Sequence, residues 1–177
     1  MPAMRASAIH PKSAASFEGL KPACQVLILH EDFPAYARAV EVCRRVMERF
    51  ARELDFSIKC WNFIELADPN CARHAAKTAG SADIILFSVR TAALPAEIEH
   101  WLEACFAVRW RKEGVIALVM TGGEEPSSAR EALAARLNKQ AGRLGLDFLM
   151  LLPGDDAAAI TPARPAAAWR EVRAAEA

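Results

Sequence analysis

Neither sign of charge is in excess in this chain. Lys+Arg and Asp+Glu each number 22 in 177 residues, so nothing in the balance asks for nucleic acid or an anionic membrane surface as partner. No apolar run approaches the roughly 20 residues that a membrane-spanning helix needs. Residues 1–22 contain no continuous apolar core of the signal-peptide kind and read as a loose tail, so a cytoplasmic location is the expectation. The five cysteines (Cys24, Cys43, Cys60, Cys71, Cys105) are odd in number and show no Cys-x-x-Cys spacing. Reduced, mostly buried thiols fit that pattern better than disulfides or a metal site. There is no Walker loop, no Gly-x-Gly-x-x-Gly fingerprint and no Gly-x-Ser-x-Gly elbow. The usual nucleotide-binding and serine-hydrolase signatures are therefore excluded, and no cofactor is called for.

What the chain does have is a rhythm of short apolar runs. Residues 84–87 (Ile-Ile-Leu-Phe) are continuously apolar and follow Gly80-Ser81; such a run predicts a strand buried on both faces, the centre of a parallel sheet. Residues 25–29, 115–120 and 148–152 repeat the pattern. Residues 55–66 instead alternate, with Phe56, Ile58 and Cys60 on one side and Ser57, Lys59 and Trp61 on the other, which suits a strand nearer the sheet edge. Helices are predicted between the strands. The first has Asp32 as N-cap and Pro34 in its first turn. Tyr36, Val40, Cys43, Met47, Phe50 and Leu54 recur at steps of four and three and predict its buried face, opposite a charged face with Glu41–Arg45 and Glu48–Arg52 pairs. Asp68-Pro69 opens a short alanine-rich helix that Gly80 stops. Leu94-Pro95 opens a third, with Ile98, Trp101, Leu102, Cys105 and Phe106 as its stripe. Pro126 opens a fourth, buried through Ala129, Leu133, Leu137, Ala141 and Leu144 and ended by Gly142 and Gly145. A linker over 155–162 and a last helix over 165–176, docked through Trp169 and Val172, complete the reading.

Strands alternating with helices predict an α/β fold, a doubly wound five-stranded parallel sheet of order 2-1-3-4-5 in three layers, spanning residues 23–153. In such sheets function sits at the carboxyl ends of the strands. There the sequence supplies His30, Glu31 and Asp32 after the first strand, Ser88, Arg90 and Thr91 after the third, and Thr121 and Gly122 after the fourth. These eight residues are the candidate site. His30 reads either as a base or ligand or as a hydrogen-bonding cap. Thr121-Gly122-Gly123 reads either as an anion nest or as a plain turn, with Glu124-Glu125 opposing anions. Arg90 is a group able to hold a carboxylate or phosphate.

The constellation resembles the receiver domain of response regulators over residues 24–153. Glu31 and Asp32 stand where receivers carry their magnesium-holding acidic pair, Thr121 stands at the switch hydroxyl, and Pro153 keeps the proline that ends the fifth strand. The resemblance also exposes two losses: Ser88 replaces the phosphoacceptor aspartate and Leu152 replaces the strand-five lysine. Aspartyl phosphorylation needs a carboxylate nucleophile, a metal and a nearby cation. What the resemblance implies is thus a degenerate receiver, with Glu31 and Asp32 a weak magnesium pair lacking a third ligand or simply a helix-capping turn. The stretch 82–123 also resembles flavodoxin-like reductases, but His30-Glu31-Asp32-Phe33-Pro34 puts two carboxylates and a proline where they cradle the flavin phosphate. Glu97, Glu99 and Glu103 around Trp101 resemble the acidic helix of Toll/interleukin-receptor-like domains, without their small-residue and cysteine pattern. The expectation is a non-catalytic signalling or protein-interaction module, with a protein partner or homodimer contact through a helical face. The alternative is a small-molecule or nucleotide-binding enzyme, flavodoxin-like or Toll/interleukin-receptor-like, using the crevice.

Overall fold

The computed structural model describes residues 21–107, 113–122 and 126–154, without the side chains of residues 106 and 107. The predicted anchoring by Phe106, the glycine at 123, the 155–162 linker and the helix carrying Trp169 and Val172 lie outside the described residues.

Five strands form: β1 (Ala23–His30), β2 (Asp55–Asn62), β3 (Ile84–Val89), β4 (Val115–Met120) and β5 (Asp147–Leu151). All neighbours run parallel and the order is β2-β1-β3-β4-β5. This is the doubly wound flavodoxin-like topology with its switch point between β1 and β3, as the strand–helix rhythm predicts. Because side chains alternate along a strand, β3 feeds two cores at once. Ile85, Phe87 and Val89 join Leu27, Leu29, Ile116 and Leu118 on one face. Ile84 and Leu86 join Val26, Ile28, Ala117 and Val119 on the other. Every residue of β3 and β4 is buried, which explains their lack of polar alternation.

The helices are α1 (Phe33–Phe50), α2 (Pro69–Ser81), α3 (Ala96–Ala107) and α4 (Ser127–Leu144). Right-handed crossovers distribute them over both faces: α2, α3 and α4 pack on the Phe87 face, and α1 is the single helix on the Leu86 face among the described residues. No described helix is long and apolar enough to cross a membrane. Asp32 caps α1 by accepting from the amide of Ala35 at 2.9 Å, and Asp68 caps α2 by accepting from the amides of Asn70 and Cys71. Gly145, at φ 69°, ends α4 in the left-handed conformation that glycine adopts without a Cβ clash. Gly80 is the penultimate residue of α2 and Gly142 lies in the last turn of α4.

Three details differ from the sequence reading. The second strand stops at Asn62 instead of running on to residue 66. Asn62 Oδ1 accepts from the amide of Ile64 and Glu65 accepts from the amide of Asn62; these local bonds replace the ladder and turn the chain. The buried face of α1 is also rotated. Ala35, Ala39, Val42 and Val46 point at the sheet, whereas Val40 is 40% exposed. Small alanines let the helix sit close on the strands, so the larger Tyr36, Val40 and Met47 fall to its flank. Finally, Glu48 pairs with Arg44 rather than Arg52, while Glu41 takes Arg45 as expected and Arg38 besides.

The rotation is measurable. Val42→Ala should lower unfolding free energy by about 1–3 kcal/mol, and Val40→Ala should stay within about 0.5 kcal/mol of the parent. Urea unfolding of both variants checks this, and equal losses would contradict the helix orientation.

Candidate functional site

The topology brings the turns after β1, β3 and β4 together. In a doubly wound sheet this is the place for an incoming ligand. Here the protein's own side chains occupy it. The carboxylate of Glu31 accepts from the amide of Arg90 at 2.7 Å, the amide of Thr91 at 3.0 Å and the hydroxyl of Thr91 at 3.1 Å. Successive amides with a hydroxyl beside them form an anion-binding arrangement, and an internal carboxylate fills it. The backbone adds a second tie, the amide of Glu31 donating to the carbonyl of Ser88 at 3.1 Å.

Asp32 is engaged at both oxygens. Oδ1 is the α1 cap and Oδ2 lies 3.1 Å from Arg90 Nε. Arg90, 60% exposed at its side chain, therefore folds back on the α1 turn. As a solvent-screened pair this contributes little stability; its effect is to commit the guanidinium. His30 Nδ1 lies 3.2 Å from the carbonyl oxygen of Asp32 and 3.5 Å from Asn62 Nδ2, and its ring lies 5.1 Å from that of Tyr36.

Thr121 donates both its amide (2.9 Å) and its hydroxyl (3.2 Å) to the carbonyl of Val89. Gly122 is there for space: a Cβ on it would lie 2.3 Å from the carbonyl oxygen of Arg90. The β4 turn thus presses on the β3 turn that Glu31 holds from the other side.

Ser88 is not in the crevice. It belongs to the even-numbered β3 residues that face α1, is fully buried, and its hydroxyl donates to the carbonyl of Ala35 at 2.7 Å. That removes it from the grouping of eight, and the cause is strand alternation. The other seven do converge. Around α3, Trp101 is buried and donates from Nε1 to the carbonyl of Ala72 at 2.8 Å, Glu99 pairs with Arg136, and Glu97 and Glu103 lie exposed. The tryptophan and the acids consequently serve different surfaces. All five cysteines are free thiols. Among the described residues no group of three or more His, Cys, Asp or Glu is disposed around a common metal position.

A second feature escapes sequence reading. Because α1 sits over β1, β3 and β4, no described residue covers the same face of β2. Tyr36, Val40 and Met47 on one side and Phe56, Ile58 and Cys60 on the other enclose an apolar groove of about 720 Å³. The β2 alternation and the apolar flank of α1 were its sequence signals; they read as core because the helix rotation is not local information. Cys43, also on this groove, has its thiol pushed up to about 12 from 9.0 by burial, with Cys60 adding to the shift.

No protein-family model and no curated protein matches the chain. Among solved structures it is similar to the flavodoxin-like domain of a Synechococcus sp. protein, at 17% sequence identity and a TM-score of 0.49, over 82% of this chain and 89% of that one. The class of the fold rests on the strand order of the chain itself: a five-stranded parallel, flavodoxin-like α/β domain.

Two outcomes are expected. Gly122→Ala should cost about 1–3 kcal/mol because a methyl must displace backbone, whereas Gly142→Ala, with open space around it, should gain up to about 1 kcal/mol of helix propensity; thermal or urea unfolding compares them. The Cys43 thiol, raised in the folded state, stabilises the fold fully below the unfolded-state value near 9. As pH rises above that, the unfolded chain releases its proton first and the contribution falls by about 1.4 kcal/mol per pH unit, until the folded thiol also titrates. The stability of the parent relative to Cys43→Val should therefore drop from about pH 9 upward, towards about pH 12; parallel curves would refute the linkage.

Proposed function

We propose that this chain is a non-catalytic signalling or protein-interaction domain, a receiver-like module without a phosphotransfer cycle. The observation that carries the reading is Glu31, whose carboxylate fills the amide and hydroxyl donors of the β3 turn. A phosphate or flavin phosphate seated there would have to expel an internal, multiply bonded carboxylate, and charge-assisted bonds of this kind are the strong ones. Asp32 and Arg90 hold each other, and the hydroxyl of Ser88 is turned to the carbonyl of Ala35, away from the crevice. The exposed large apolar side chains support an interaction role: Phe33, Val40, Ile58 and Ile64 all belong to α1, β2 or the turn after β2. Such a concentration suits a protein contact, with either a separate protein or a second copy on the side where α1 flanks the groove.

The alternative, an enzyme working in the crevice, predicts ligand binding there. Thermal unfolding with flavin mononucleotide, adenine and guanine nucleotides, or magnesium with beryllium fluoride should give no upward shift. Glu31→Ala, which removes three hydrogen bonds that join the β1 and β3 turns, should lower stability by about 1–3 kcal/mol while creating no response to those ligands. A saturable shift with any of them in the parent protein would overturn the non-catalytic reading.

A further inference from the structure

The outer edge of β2 carries an unusual order of residues. The amide of Asp55 donates to the carbonyl of Pro22 and that of Phe63 to the carbonyl of His30. By alternation the odd-numbered residues of β2 turn their backbone groups to β1, and Phe56, Ile58 and Cys60 turn theirs away from the sheet. β2 is an end strand of the described sheet, eight residues long, and among the described residues only its top is closed, where Glu65 accepts from the amide of Asn62. Strands of this length are normally blunted at an edge, often by a lysine. Lys59 is that lysine, but four residues before it stands Asp55. The segment Asp55-Phe56-Ser57-Ile58-Lys59 matches its own reversal: acid against base, phenylalanine against isoleucine, serine against serine.

We propose that β2 pairs antiparallel with β2 of a second copy of this chain about a two-fold axis through Ser57, giving a continuous ten-stranded sheet. Opposed residues must share a face of the sheet, so the axis passes through a residue and not between two. With Ser57 on the axis, Asp55 lies opposite Lys59 of the second copy, twice over by symmetry. Phe56 lies opposite Ile58 of the second copy, also twice, an aromatic–β-branched pair of the stabilising kind. Phe56 and Ile58 are the residues whose N–H and C=O face outward, and they become the pairs that exchange two backbone hydrogen bonds each. Asp55, Ser57 and Lys59 fall at the closer, non-hydrogen-bonded positions, where opposite charges attract best and the small serine fits the axis. Moving the axis to Ile58 opposes Asp55 to Trp61 and loses both charge pairs. Moving it to Lys59 sets that lysine against itself. The charges thus select one register, and an isologous pairing of this kind closes on itself as a dimer. On the α1 side the pairing joins the two apolar grooves across Phe56 and Ile58.

This inference rests on the interaction-module reading and supplies its partner. Sedimentation equilibrium of the full chain over a concentration series tests it. The parent protein is expected to dimerise. Lys59→Glu and Asp55→Lys, each opposing like charges, should weaken the dimer at least about tenfold. The double variant Asp55→Lys with Lys59→Asp should recover most of the affinity. Ile58→Pro removes an outward amide that β1 does not use, and should give a monomer with unchanged far-UV circular dichroism. A parent protein that stays monomeric to its solubility limit overturns the inference. So does a dimer that ignores the single charge reversals, or one that the double exchange does not restore. Those results leave the filled crevice as it stands, whereas a ligand shift would remove the non-catalytic reading without touching the charge-exchange result.

Discussion

The carboxylate of Glu31 bonded to the β3 turn is the contact on which the carboxyl end of this sheet depends. A carboxylate drawn from water must recover its hydrogen bonds within the protein. Glu31 recovers three from one turn, two of them from consecutive amides. Those amides would otherwise be left to solvent. The mutual need fixes the β1 turn to the β3 turn across the switch point. The β4 turn is then forced to approach the Arg90 carbonyl so closely that only a residue without Cβ fits, which is the physical content of Gly122. Asp32 and Arg90 close the outer rim. What is ordinarily an open crevice in this topology becomes a set of three turns stitched to one another.

The opposite consequence appears at β2. The alanines of α1 bring that helix down over the middle of the sheet, and the serine hydroxyl of Ser88 ties it there through Ala35. Central placement of this helix, with α2, α3 and α4 on the other face, buries β3 and β4 completely and, among the described residues, leaves β2 with an uncovered face and edge. Apolar area that the described residues leave uncovered is available for association. The same close packing that stitches the turns at the carboxyl edge leaves the flank of the sheet uncovered by the described residues.

Much of the fold was legible in the chain. Continuous apolar runs in β1, β3 and β4 announce strands buried on both faces, and the alternation of Phe56, Ile58 and Cys60 with Ser57, Lys59 and Trp61 announces an edge. Both patterns survive because burial on one or two faces is imposed residue by residue. Asp32-x-Pro34 and Asp68-Pro69 announce helix starts because caps and prolines act within a single turn. The candidate site was legible as a neighbourhood: seven of its eight residues do meet.

Residue order alone determined the strand and helix sequence, hence the sheet order, since right-handed crossovers leave few topologies for such a rhythm. It also set the self-complementary order of charges and apolar groups on β2. Only the tertiary structure decided the rest. The direction of Ser88 depends on strand parity against a helix 53 residues away in sequence. The rotation of α1 depends on how closely alanine lets a helix approach a sheet. The state of Glu31 depends on amides 59 and 60 residues further along the chain. Each is a non-local pairing of groups whose local sequence is equally compatible with an empty, ligand-binding crevice.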